Sequence, residues 1–313
     1  SGLGTKSLSV GDNTFIIKTL AENGDEKTYN VKVNRKKSAA LLKNEIMENK
    51  IITTAPTLTT TSLEAGDEDG LYVSTATNSG KPTYYFRGNV TNNYVSFAGQ
   101  TWRIVRINED GTIRLIMQDG INNNTKYVFN TKYNSYIYMY YSNSVAKTTL
   151  DNWYNDNIGN DNSLSSKVVS GNYFCEQAKV KYASNYSSGN AITTVYTDYI
   201  PNFRCETDGN DYGVVNTNIG LITYDEMVYA GGYYGIINNS YYLNNNTDYS
   251  SMSATGVDVQ SARIAGGRVT VSPASIVDFY VFNADGTLRP VINLKSDVQA
   301  TGTGTSSDPF VIE

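Results

Sequence analysis

The chain has 313 residues, 40% hydrophobic and 18% charged, with 26 Tyr, 2 Trp, no His and a formal net charge of −5. That is enough apolar material for a sizeable core and, by length, for about two domains. The acidic balance, with no basic run longer than Arg35-Lys36-Lys37, leaves no footprint for a phosphate backbone, so no nucleic-acid partner is expected.

No apolar run approaches the roughly 18 to 20 residues of a membrane span. No signal peptide opens the chain, and its first residues read as mid-domain, which predicts a fragment whose targeting signals were removed. The absence of His removes the Ser/His, Cys/His and His-ligated metal constellations, so no catalytic residue is assigned. Abundant β-branched and aromatic residues predict mostly strands.

In chain order, "NTFIIKTLAENGDEKTYNVKVNR" reads as strand, Asn-Gly-Asp turn, strand, with Phe15, Ile17, Tyr29, Val31 and Val33 at period two: a β-hairpin that should belong to a sandwich. Ala40, Leu41, Ile46 and Met47 then predict an amphipathic helix begun by Ser38, followed by a Thr-rich linker. The expected division is 1–36 as the end of a β-sandwich, 37–62 as helix and linker, and 63–313 as the main domain. That domain opens with short strands around "YYFRGNV" and "TWRIVRI". Two helical patterns follow, "TTLDNWYNDNI" with a Thr cap at Thr148 and "LSSKVVSGNYFCEQAKVKY" bearing Cys175. After a short helix or turn in "GLITYDEMVYAGG", the strands "SARIAGGRVTV", "IVDFYVF" and "LRPVINLK" close the chain. The plan is α+β, with the strand of Trp102, Ile104 and Val105 and that of Val291, Ile292 and Leu294 in one core.

Cys175 and Cys205, an even pair in a chain of exported-protein composition, predict a disulfide rather than two buried thiols. Acidic groups at Asp67-Glu68-Asp69, Asp151/Asp156/Asp161 and Asp208/Asp211 have the oxygen-rich character of Ca²⁺ loops. Their spacing fits solvated turns better, so no cofactor is assigned. Tyr233, Tyr234, Tyr241, Tyr242 and Tyr249 offer amphipathic area for a ligand, with half of them expected in the core.

Three blocks in order, "FRGNVTNNYVSFAGQTWRIVRINEDGTIRLI", "NIGLITYDEMVYAGG" and "LRPVINLKSDVQATGTGTSSDPFVI", resemble a family of surface proteins from Gram-positive gut bacteria over nearly all of residues 70 to 313. The resemblance implies a C-type-lectin-like domain, β-rich with two helices, related in architecture to formylglycine-generating enzymes and to the variable proteins of diversity-generating retroelements. It implies an extracellular, cell-surface location. Residues 8 to 35 resemble the end of the cadherin-like β-sandwich module of bacterial surface proteins. The family's "W-T-M-S-P" run corresponds to Ser250–Ala254, so Met252 and Ser253 keep their types and the flanking positions do not.

Residues 251 to 282 contain no Asn, although the preceding segment is rich in it. Retroelement copying scatters adenine-rich Asn codons into other residues, which would empty such a stretch of Asn. Ordinary strands also disfavour Asn, and both readings stand at this point. On the first, the chain is an adhesin-like surface protein for a protein or glycan ligand. Tyr249, Phe279, Tyr280 and Phe282 are then anchors, and Asp258, Gln260, Arg268, Thr270 and Ser272 polar contacts. Asp248, Ser251, Val257, Val259, Ser275 and Asn283 complete the expected face. Met252, Ala262, Ile264, Val269, Val281, Pro290 and Ile292 are assigned to the scaffold. The rival reading is a structural stalk, wall or pilus module without a ligand face.

Overall fold

The computed structural model describes residues 4–35, 37–58, 68–132, 136–176, 200–206, 213–260, 263–271, 276–282 and 286–313. Of 136, 172–173, 255–260, 263–271 and 277–280 it describes the backbone alone. The protein is mixed α/β, with many strands in several sheets and few, short helices. That agrees with the α+β expectation.

Strands β1 (Gly11–Leu20) and β2 (Glu26–Arg35) form the expected hairpin, with Phe15 opposite Val31 and Ile17 opposite Tyr29. Among the described residues no third strand joins it. Ile16 and Leu20 stand 65% and 69% exposed.

The segment expected as helix and linker holds a shorter helix, and two of its stretches pair with the main sheet. Ala40 and Leu41 form β3 (Ala40–Leu41), and helix α1 (Leu42–Met47) begins only after Leu41, which makes no side-chain cap. Ser38 is therefore not the cap. Strand pairing captures the backbone first, and the helix that remains buries Leu42 and Ile46 in the core. Strand β4 (Ile51–Ile52) pairs in parallel with β5 (Gly70–Ser74). The boundary expected at Leu63 falls outside the described residues.

The main sheet continues through β6 (Thr83–Arg87), β7 (Tyr94–Phe97), β8 (Gln100–Ile107) and β9 (Ile113–Met117). Every residue of β9 is buried. Next comes α2 (Ile121–Asn124), a single turn whose Asn122 and Asn123 have left-handed dihedrals, and then β10 (Lys126–Tyr127). Helix α3 (Val145–Tyr154) is capped by Ser144, whose Oγ accepts from the Lys147 amide, and not by Thr148. It widens into a π turn over Asn155–Gly159.

The second expected helix shrinks to one turn, α4 (Asn162–Ser165). Cys175 lies on strand β11 (Asn172–Cys175), which pairs with β12 (Val214–Thr217). The aromatic run Tyr173-Phe174 after Gly171 suits a strand, and Phe174 is buried.

Helix α5 (Tyr224–Ala230) is fully buried, opens with a Thr223/Glu226 capping box and ends at Gly231 with φ 114°. A second sheet then forms from β13 (Tyr249–Gln260), β14 (Arg263–Val271), β15 (Ile276–Tyr280) and β16 (Gly286–Thr287), in the order β10-β16-β13-β14-β15. The final strands are β17 (Val291–Leu294), β18 (Gln299–Thr301) and β19 (Phe310–Ile312).

β17 pairs with β9, which pairs with β8. β18 pairs with β3 and β19 with β7. The early and late strands thus share one sheet and one core, as the apolar runs predict, with Trp102, Ile104, Leu115, Val291 and Ile292 fully buried. Each such side chain contributes about 1.5–3 kcal/mol.

Candidate functional site

The Asn-free stretch begins deep in the core. From Tyr249 to Ala254 every residue of β13 is buried. The Met252 amide donates to the Ile222 carbonyl (2.8 Å) and the Tyr224 amide to Ser253 Oγ (2.9 Å), tying the strand to the start of α5. Tyr249 and Ser251, expected at the ligand face, are therefore interior residues. The Arg289 guanidinium lies 4.6 Å from the Tyr249 ring centroid and donates to the carbonyls of Met117 (2.9 Å) and Leu243 (2.7 Å). Burial pushes the Tyr249 hydroxyl up and the Arg289 guanidinium down. Tyr233, Tyr241 and Tyr242 are buried as well. Arg103 spans the Tyr94 (3.8 Å) and Tyr242 (5.2 Å) rings, and burial pushes it down to about 10.

Farther along, β13 and β14 run as an antiparallel ribbon from Val257 opposite Gly266 to Gln260 opposite Arg263. β15 pairs with β14 only over Gly267–Val271, so the ribbon extends past its third strand. Arg268 is opposite Phe279 and Thr270 opposite Val277. Alternation along the strands puts these four in one set of positions and Val269 in the other with Ile276, which is buried. The same alternation divides Val257 and Val259 from Asp258 and Gln260, and Tyr280 from Phe279.

The backbone of Val257, Asp258, Val259, Gln260, Ile264, Arg268, Val269, Thr270, Phe279 and Tyr280 is described; their side chains are not. Ala262, Ser272, Ser275 and Asn283 lie outside the described residues. Met252, Val281, Pro290 and Ile292, all expected in the scaffold, are buried. Phe282 is 38% exposed. Asp248 is partly exposed and pairs with Lys126 Nζ at 3.0 Å.

A fixed segment runs beside this stretch. The Ile121 amide donates to the Leu288 carbonyl (3.0 Å) and the Asn130 amide to the Val281 carbonyl (2.8 Å). Between them Lys126 and Tyr127 pair with Thr287 and Gly286. Gly120 makes this approach possible, since a Cβ there would lie 1.9 Å from Thr287 Oγ1. Three consecutive left-handed residues follow, Asn122 (φ 50°), Asn123 (φ 56°) and Asn124 (φ 61°). The conformation costs about 1–2 kcal/mol per residue, which Asn tolerates better than most. Sequence reading passed over "INNNT", whose Asn run after Asp-Gly was the available signal.

A separate concavity of about 420 Å³ lies beside the Cys175–Cys205 disulfide, which joins β11 to the 200–206 segment with a Cα–Cα distance of 5.6 Å. Its floor is Glu226, whose Oε1 meets Arg114 Nε at 2.5 Å and Arg106 Nε at 3.1 Å. Burial alone would raise the Glu226 carboxyl, but the two guanidiniums outweigh it and hold the group below the usual carboxylate range. Phe203 is sandwiched between the stacked Tyr229 ring (4.1 Å) and the Arg106 guanidinium (4.8 Å). Both guanidiniums share the one Glu226 carboxylate, so the trio keeps a net positive charge.

The acidic groups expected as turns are only partly described: Asp67, Asp208 and Asp211 fall outside. Asp161 caps α4, and Asp151 pairs with Lys147 at 2.5 Å. Among the described residues no three His, Cys, Asp or Glu converge as metal ligands, and no helix is long and apolar enough to cross a membrane. No family model, curated protein or solved structure matches the chain.

Proposed function

We propose that the chain is a cell-surface, adhesin-like ligand-binding protein of a Gram-positive bacterium. On this reading a C-type-lectin-like scaffold presents the ribbon of residues 255–282 as a variable face. One observation carries it: within a single chain stretch, Tyr249–Ala254, Ile276 and Val281 are locked in the core, while the β13–β14 ribbon runs past its third strand. A stretch built this way can change residues at its tip without disturbing the packing that folds it. Retroelement diversification accounts for the loss of Asn in the same stretch.

Sequencing the gene and its related copies in one genome tests the proposal. Differences concentrated in the codons of 255–282, opposite adenines of a neighbouring template repeat, are the expected result. Differences spread evenly along the chain, with no template repeat, would favour the structural wall or pilus module.

A further inference from the structure

Among the described residues four guanidiniums are buried: those of Arg87, Arg103, Arg114 and Arg289. Three of them spend a terminal nitrogen on the chain itself. Arg87 Nη1 donates to the Val228 carbonyl (2.8 Å), Arg103 Nη2 to the Val90 carbonyl (2.7 Å) and Arg289 Nη1 to the Leu243 carbonyl (2.7 Å). Arg114 is the exception. Its Nε meets Glu226 and its guanidinium lies 4.5 Å from the Phe174 ring centroid, but neither Nη1 nor Nη2 has an acceptor among the described residues. The side chain is 3% exposed and lines the concavity of about 420 Å³ beside the disulfide.

The neighbouring carboxylates have other donors. Glu226 Oε2 accepts from the Thr223 amide, and its Oε1 is shared with Arg106. Asp225 accepts from the Asn202 amide, Glu109 from the Ser79 amide and hydroxyl, and Asp110 from the Thr112 amide and hydroxyl. A buried donor left without an acceptor costs about 1–3 kcal/mol, and an acceptor entering the concavity would offset that cost. We propose that the concavity binds a small monocarboxylate with an apolar body, its carboxylate held by Arg114. The paired N–H groups of a guanidinium match the two oxygens of a carboxylate. Phe174, Val214 and the disulfide supply apolar wall for the body, in a volume suited to a small molecule. Three arginines and four acidic side chains line the concavity, so it carries no positive surplus for a phosphate dianion, and the one open guanidinium fork selects a single negative charge. No residue of 255–282 lines it, so the inference stands apart from the reading of that stretch as a variable face.

The test is calorimetric titration of the whole chain with benzoate and with hexanoate, using benzamide, hexanamide and inorganic phosphate as controls. The expected result is one site per chain for a carboxylate, about tenfold or more tighter than for the matching amide or for phosphate. Arg114→Lys keeps the charge and removes the fork, and should weaken binding about tenfold or more. Because Arg114 also holds Glu226, a second variant reads the site without touching that pair. Val214 is 43% exposed on the wall, and Val214→Trp should fill the concavity and abolish binding at an unchanged melting temperature. No binding of either carboxylate, equal binding of the amides, tighter binding of phosphate, or unchanged affinity in either folded variant would overturn the inference.

Discussion

Beneath the concavity beside the disulfide, one carboxylate serves two guanidiniums, and the arrangement is stable only while all three are present. Replacing Glu226 with Gln leaves Arg114 buried without its counter-charge, and the expected cost is about 3–5 kcal/mol in urea unfolding at neutral pH. The folded carboxyl sits below its usual range, so its contribution is present above the unfolded value of about 4.3 and is lost as pH falls through the folded value. The gap between natural chain and variant should therefore narrow below about pH 4; a gap that widens there would contradict the assignment. Tyr249 and Phe282 make a second residue-scale contrast. Tyr249→Ala should cost about 3–5 kcal/mol because the ring is enclosed under Arg289, whereas Phe282, 38% exposed, should cost less on truncation to Ala. Sequence could not separate these two aromatics, because an aromatic side chain suits a core and a ligand face equally well.

The elements legible in the sequence are those whose local signals agree with one another. The Asn-Gly turn between alternating strands gave the first hairpin, whereas the segment of α5 read only as a short helix or turn, its Thr223/Glu226 capping box being seen in the structure. Where local and long-range demands compete, the reading failed: Ala40 and Leu41 have helical neighbours but pair with Gln299 and Ala300, and β11 looked helical until its partner β12 was known. The same β11 carries Cys175 into the disulfide. Removing that link with Cys175→Ala/Cys205→Ala should cost about 3–4 kcal/mol in the chain-entropy account of a thirty-residue loop. Reduction of the natural chain should add two hydrogens to the intact mass, and thiols that alkylate under native conditions without reductant would contradict the link.

At the scale of the molecule, β8, β9 and β17 bring residues near 100 and near 290 into one sheet, so the main fold is not complete until its last strands arrive. Ile292→Ala, at the centre of that junction, should cost about 2–5 kcal/mol. The apolar runs made this pairing legible. The ligand face was only half legible, since pattern marked which stretch was unusual but could not show that β13 enters the core for its first six residues, nor that residues 121–130 run beside it.

The measurement that bears most directly on the account is a substitution scan of residues 249–288 in the whole chain, read out as protease resistance. The account predicts intolerance at Tyr249, Ser251, Met252, Ala254, Ile276, Val281 and Gly286, with free exchange at Gln260, Arg268, Thr270, Phe279 and Phe282. Uniform intolerance along the ribbon would mean that the stretch is packed throughout, and would contradict a variable face carried on a fixed scaffold.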